Sequence, residues 1–173
     1  ITDTNNIIDG RKDIRAGDLV YALPSDSPHT NGYTLIGKLL ETTNIMDSVP
    51  GFREFICTPH RSYLPENNII KKNNIQIHGM AHITGGGLIE NPPRIVPDGL
   101  TMCIRCSTPL PHYFEAIRTF GNISLIEMLR VFNCGIGMLV VVGTQSQQAM
   151  DELGIGAQLI GNIVNNDNTN IYG

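Results

Sequence analysis

The chain has 173 residues, a length that suits one domain able to bury a sizeable core without disulfides or metals. Its formal net charge is −4 and no basic block occurs, which argues against nucleic acid as a partner because such binding needs clustered Lys and Arg. The absence of an apolar run of about 18 residues and of a signal peptide predicts no membrane partner and a cytoplasmic location.

Apolar patterns along the chain predict about five strands and four or five helices. In chain order these are a strand at 18–23, a helix at 33–40, a strand at 75–84, a helix at 87–96, a strand at 100–106, helices at 111–120 and 124–132, a strand at 136–142, a helix at 144–153 and a strand at 158–164. Thr30 or Asn31 is the expected N-cap of the first helix, and Ser124 is that of a later one. Pro92 and Pro93 are expected to kink or stop the second helix.

The remaining segments are polar or interrupted. Residues 43–74 are predicted to be a loop with one or two short helices, and residues 165–173 a frayed tail. Because the chain begins at Ile1 rather than Met, we expect residues 1–16 to be a linker from a missing upstream domain. The mixed order of elements predicts a single α+β domain, with helices covering a mixed β-sheet.

The stretch around PHTNGY follows the first strand and precedes a helix, where amide groups and the helix dipole favour an oxyanion. Ser27 and Thr30 add hydroxyl donors, Asn31 adds an amide, and His29 is a candidate general acid or base. A capped helix with a surface histidine is an equally good interpretation of this stretch alone.

The stretch HITGGG follows another predicted strand. Gly85, Gly86 and Gly87 allow backbone amides to approach an anion closely, and His82 and Thr84 stand at the entrance of this loop. The alternative is a flexible loop, and the pattern fits neither GxGxxG nor the phosphate loop GxxxxGK[ST].

A third stretch, FNCGIGM, precedes the most apolar strand. We include Asn133 among the candidate substrate-binding residues. Gly135 fits a helix terminator, and Gly137 within a strand indicates a bulge or a close approach of another group. Cys134 could be a nucleophile, but a buried structural thiol is the favoured interpretation.

Metal ligands are not predicted. Cys103 and Cys106 form a lone CxxC without the second pair that structural zinc requires, so a structural role is favoured over metal or redox work. His78 and His82 can share a face of their strand, but no carboxylate lies near them in sequence. His60 and His112 are weaker candidates still.

Four segments together resemble the C-terminal domain of aminoimidazole ribonucleotide synthetases, also called phosphoribosylformylglycinamidine cyclo-ligases. They are IIDG, GDLVYALPSDSPHTNGYTLIGKLL, HGMAHITGGGLIENPPRIVPDGL and EMLRVFNCGIGMLVVV. The resemblance runs from about residue 7 to residue 163, and it implies the α+β fold of that superfamily. Each glycine motif is weak alone, whereas the three in this order are specific.

The resemblance implies an ATP-dependent ligase of purine biosynthesis. Enzymes of this family convert formylglycinamidine ribonucleotide and ATP to aminoimidazole ribonucleotide, ADP and phosphate. ATP and Mg belong to the full-length enzyme, none being bound by this domain alone. A missing N-terminal ATP-binding domain would carry most nucleotide contacts and the main homodimer interface, so we expect the isolated chain to be inactive.

On the matching positions, the resemblance implies that His29, Asn31, His82, Thr84 and the loop of Gly85 to Gly87 face the cleft between the domains. His29 and His82 are the candidate catalytic residues, and which one moves the proton stays open. The other candidates are expected to bind substrate, and they include Ser27, Thr30 and Asn133, which are selected from the stretches themselves.

Two departures from the family pattern matter. His60 stands where a Pro-Thr-Arg-x-Tyr stretch has threonine, and Pro65 is expected to shorten the helix that follows. Asp26 adds a negative charge close to the proposed phosphate site. Two alternatives remain open: part of a formylglycinamidine ribonucleotide synthetase, or a non-catalytic binding or regulatory domain of the same fold.

Overall fold

The structure, a computed structural model, describes residues 7–106 and 109–166. Its strands are β1 (Leu19–Pro24), β2 (Ile77–His82), β3 (Leu100–Ile104), β4 (Ile136–Val142) and β5 (Gln158–Asn165). Its α-helices are α1 (Gly10–Asp13), α2 (Tyr33–Thr42), α3 (Ile45–Ser48), α4 (Phe52–Cys57), α5 (Leu64–Lys72), α6 (Gly87–Glu90), α7 (His112–Phe120), α8 (Leu125–Val131) and α9 (Gln147–Glu152). Two 3-10 turns, Pro92–Arg94 and Thr144–Ser146, precede β3 and α9.

The five strands form one sheet in the order β2-β4-β1-β5-β3. The α+β class with helices covering a sheet is confirmed, but each of the four pairings is antiparallel, so the expectation of a mixed sheet is corrected. The long crossovers return β1, β2 and β3 in the same direction, but these strands are not neighbours in the sheet. Instead, β4 and β5 lie between them and run the opposite way.

Both faces of the sheet are buried at its centre, along β1 and β4, which explains the continuous apolar run of β4. Successive side chains of a strand point to opposite faces. Leu139 and Val141 pack on one face, with Leu88 and Ile14 among their neighbours. Val140 and Val142 pack on the other face in a cluster that includes α5 and α9. A third cluster, without strand residues, joins α2, α3, α4, α7 and α8.

The helical region before β2 differs most from expectation. Residues 43–74 hold three helices rather than a loop with one or two. Pro65 lies in the first turn of α5, where its missing N–H is tolerated, so it helps to begin this helix instead of shortening it. The N-cap of α2 is Gly32 with φ +78°, not Thr30 or Asn31, and its Cβ position is filled by the ring of Phe132.

Several element boundaries agree with those predicted from the sequence. Ser124 caps α8 by accepting from the backbone N–H of Glu127, and α6 ends before Pro92 and Pro93. α1 lies within the segment predicted as a linker, and Ile14 beside it is buried in the core. Of the predicted tail 165–173, Asn165 belongs to β5, and residues 167–173 lie outside the described residues. Within the described ranges, no helix combines the length and apolar character needed to cross a bilayer.

Candidate functional site

The sheet topology brings the three glycine-rich stretches together. β1 and β2 run in the same direction, so their C-terminal ends meet at one end of the sheet, where antiparallel β4 begins. The loop after β1 carries PHTNGY, the loop after β2 carries ITGGG, and the loop before β4 carries FNCG. The segment between α4 and α5, residues 58–63, joins them through His60 and Tyr63.

Three histidines lie side by side at this end. The rings of His29 and His60 are stacked with centroids 3.9 Å apart. The Nε2 atoms of His60 and His82 are 2.9 Å apart, and the ring centroids of His29 and His82 are separated by 5.7 Å. His29 is 2% exposed, His60 is half-buried, and His82 stands at the exposed end of β2.

His29 is held in an uncommon backbone conformation. Its φ is +57°, a value that non-glycine residues rarely adopt and that surrounding contacts must enforce. The Tyr63 hydroxyl donates to the carbonyl of Pro24 and lies 3.2 Å from His29 Nε2. A Cβ on Gly137 would stand 1.6 Å from the Tyr63 hydroxyl, which confirms the predicted close approach at this glycine.

Burial favours the neutral form of His29 and of His82. Burial lowers the pKa of His29 to about 4, helped by the charges of His60 and His82 and opposed by a backbone contact with Ile83. Desolvation lowers the pKa of His82, and His60 acts in the same direction. At neutral pH both rings can therefore accept a proton or coordinate a ligand.

Asn133 ties two of the loops together. It is 1% exposed, and its amide donates to the carbonyl of Ser27 at 2.9 Å. Its Oδ1 accepts from the Ser25 hydroxyl at 2.7 Å and from the Gly135 amide at 2.9 Å. Ser27 is equally buried, and its hydroxyl accepts from the backbone N–H of His29. The observed contacts of Asn133 and Ser27 position the loops.

The glycine loop is fixed by Asn91, which is 4% exposed. Its amide nitrogen donates to the carbonyls of Thr84, Gly85 and Gly87, at 2.8 Å in the last case, and its Oδ1 accepts from the Thr84 hydroxyl. The backbone N–H groups of Gly85 and Gly86 have no acceptor among the described residues. These two amides remain available to an anion.

The other predicted residues are more open. Thr30 is exposed, and Asn31 is half-buried with its Oδ1 near the Gly85 backbone. His78 bonds Asp18 at 2.8 Å. His78 is also about 13 Å along the strand from His82 at the usual rise, too far for a shared ion.

Arg61 neutralises part of the negative charge of the acidic side chains near the site. It forms ion pairs with Glu66 and, at 3.6 Å, with Asp26. It also donates to the carbonyl of Pro24 and lies over the Tyr63 ring. The negative charge that Asp26 adds to the site is thus partly neutralised by Arg61.

The cysteines stand apart from this chemistry. Cys134 is buried, its thiol donates to the carbonyl of Met128, and burial raises its pKa to about 12, so it is a poor nucleophile. Cys103 is exposed and Cys106 half-buried.

A cavity of about 690 Å³ between the turn at Pro92–Arg94 and β3 is lined by none of the predicted site residues.

Residues 15–173 match the family described as AIR synthase related protein, C-terminal domain. The chain belongs to this family. The predicted resemblance is therefore confirmed over most of the sequence.

Curated relatives of this AIR synthase-related C-terminal domain are named phosphoribosylformylglycinamidine cyclo-ligase. The protein of Neisseria meningitidis serogroup C (strain FAM18) is 39% identical over 159 residues, covering 88% of this chain and 46% of the relative. The protein of Magnetococcus marinus is 42% identical over 176 residues, covering 93% of this chain and 48% of the relative. The chain thus spans about half the length of the curated relatives it matches.

Two crystal structures share the fold of this AIR synthase-related domain. The protein tt0281 of Thermus thermophilus gives a TM-score of 0.57 at 20% identity, over 90% of this chain and 48% of that one. Escherichia coli HypE, a hydrogenase maturation protein, gives a TM-score of 0.56 at 17% identity, over 94% of this chain and 47% of HypE. At these identities the likeness supports the fold alone.

Three residues of the domain were absent from the predicted site. His60 carried little weight in the sequence, although its place in PHRSY, where threonine is commoner, was a signal. Tyr63 belongs to the same stretch, and Asn91 to the matched GLIEN. His60 and Tyr63 act through contacts with residues distant in sequence, which spacing does not reveal. Asn91 acts locally, on the loop that directly precedes it.

Proposed function

We propose that the chain is the C-terminal, substrate-binding half of a phosphoribosylformylglycinamidine cyclo-ligase, an ATP-dependent enzyme of purine biosynthesis in the cytoplasm. The observation that carries the proposal is the meeting of His29 and His82 with the open amides of Gly85 and Gly86 at one end of the sheet. The names of the curated relatives support it.

In this proposal the substrate phosphate lies against the Gly85 and Gly86 amides. Consecutive backbone N–H groups suit an anion because they donate without bringing a competing charge. Asn31 beside Gly85 supplies a further polar contact, and exposed Thr30 a hydroxyl. Asn91 holds the loop carbonyls from behind, so the amides keep their direction when the ligand leaves.

The imidazoles serve ring closure in this proposal. Burial leaves His29 and His82 unprotonated at neutral pH, so each offers a lone pair for the proton that the attacking amidine nitrogen loses, while a pKa of about 4 makes His29 a weak base. The stacked His60 and the Tyr63 hydroxyl orient His29. An N-terminal ATP-binding domain preceding residues 1–16 would hold ATP with Mg, supply the phosphoryl group that activates the formyl oxygen, and build the homodimer.

The function is tested by replacing the C-terminal half of the Neisseria meningitidis cyclo-ligase with this chain. We expect the chimera to release ADP only when formylglycinamidine ribonucleotide is present, and the isolated chain to release none. His82→Gln should lower kcat by about 100-fold, in the range of general acid–base catalysis, while exposed His112→Gln should leave it unchanged. A folded chimera that binds ATP but forms no product would overturn the proposal.

The phosphate site is tested on the chain itself by NMR titration with inorganic phosphate. We expect the amide resonances of Gly85 and Gly86 to shift, because their N–H groups are free to donate. The Gly87 amide, which already donates to the Thr84 carbonyl at 2.9 Å, is the internal control and should move little. Equal shifts of all three, or none, would rule out the amide pair as the anion site.

A further inference from the structure

The three histidines form a cluster that acid–base chemistry does not require. One ring nitrogen from each of His29, His60 and His82 lies within 4.8 Å of the others. His29 is almost wholly buried, and its Nδ1 makes no hydrogen bond of normal geometry among the described residues, although the Ile83 backbone lies close enough to act on the pKa of this ring. A buried imidazole nitrogen without a partner costs free energy unless a ligand supplies one.

The donor set points to a particular class of ion. Imidazole nitrogens suit zinc, cobalt, nickel and copper, whereas magnesium and calcium prefer oxygen ligands. Three histidines with a fourth, open position are also a known arrangement for catalytic zinc. We propose that His29, His60 and His82 form a binding site for a divalent transition metal such as Zn²⁺ or Co²⁺.

Small movements complete the site. With metal–nitrogen distances of about 2.1 Å in a tetrahedron, ligand nitrogens stand about 3.4 Å apart. The Nε2 atoms of His60 and His82, now at 2.9 Å, must separate slightly, and the His60 ring must turn out of its stack on His29. His60 lies in the segment between α4 and α5 and is half-buried, so its ring can turn without repacking the core.

The metal site stands independently of the cyclo-ligase proposal. A bound ion occupies the lone pairs of the same imidazoles, so the metal-loaded chain cannot use them to accept a proton. In the chimera, Zn²⁺ should therefore inhibit turnover, and a chelator should restore it. If the chimera proves inactive, the binding experiment on the isolated chain still decides the metal site.

The test is a titration of the 173-residue chain with Co²⁺, followed by visible absorption and calorimetry. We expect tetrahedral cobalt bands and binding at one site. His60→Gln and His82→Gln should each weaken binding by more than about tenfold, since loss of even an outer partner costs that much. The exposed His112→Gln is the matched control and should bind as the unaltered chain does.

Three outcomes would overturn the proposal. The first is no cobalt spectrum in the unaltered chain. The second is equal affinity in His60→Gln, His82→Gln and the unaltered chain. The third is a strong near-ultraviolet thiolate-to-cobalt band lost in Cys103→Ser, which would place the ion at the cysteines. His60 and His82 carry the test because, unlike buried His29, both can be replaced without opening the core.

Discussion

Gly87→Ala is expected to lower the free energy of unfolding by about 3 kcal/mol or more, whereas Gly85→Ala should change it by less than about 1 kcal/mol. A Cβ on Gly87 would stand 2.1 Å from the Leu129 carbonyl oxygen and 2.9 Å from that of Arg130. Both are backbone atoms of α8 and cannot turn aside. The φ of +54° at Gly87 adds strain for any residue with a side chain.

Gly85 is the matched control because it belongs to the same run. A Cβ there would meet only the Asn31 Oδ1 at 3.4 Å, an ordinary contact. Urea unfolding of both variants, followed by circular dichroism, measures the difference. Equal destabilisation would contradict the close packing of α6 on α8. The expected result would explain the glycine run by two separate requirements. Gly87 lets α6 approach α8 closely, while Gly85 leaves its backbone N–H accessible to a ligand.

The strands could be predicted from sequence because the apolar pattern of each strand reflects how its own residues are buried. β4 is apolar throughout since both its faces are covered, and its predicted bounds at 136–142 are those observed. The sheet order could not be predicted, because inserting β4 between β1 and β2 depends on pairings far apart in sequence. Residues 43–74 were predicted to hold one or two short helices and hold three, whose bounds were not predicted because helices of four to nine residues are too short to show a clear period.

The candidate site was predicted in part. His29 and His82 were selected from their glycine-rich surroundings, and the structure places them 5.7 Å apart by ring centroid. His60 reaches them only because the segment between α4 and α5 folds back over the end of the sheet. His78, four residues before His82 on β2, does not join this cluster and bonds Asp18 instead.

Asn133→Ala is expected to lower the free energy of unfolding by about 2–4 kcal/mol, whereas Asn31→Ala should change it by less than about 0.5 kcal/mol. The Asn133 side chain makes three hydrogen bonds while 1% exposed, so its removal leaves the Ser27 carbonyl, the Ser25 hydroxyl and the Gly135 amide without that partner. A buried polar group that loses its partner costs its full desolvation.

Asn31 is the matched control because its side chain makes no hydrogen bond to the described residues and it is half-buried. Urea unfolding of the two variants gives the stability difference, and the phosphate titration of the glycine amides gives a second readout. Asn31→Ala should weaken phosphate binding while leaving stability intact. If Asn133→Ala were as stable as Asn31→Ala, its amide would not be what joins the loop after β1 to the loop before β4.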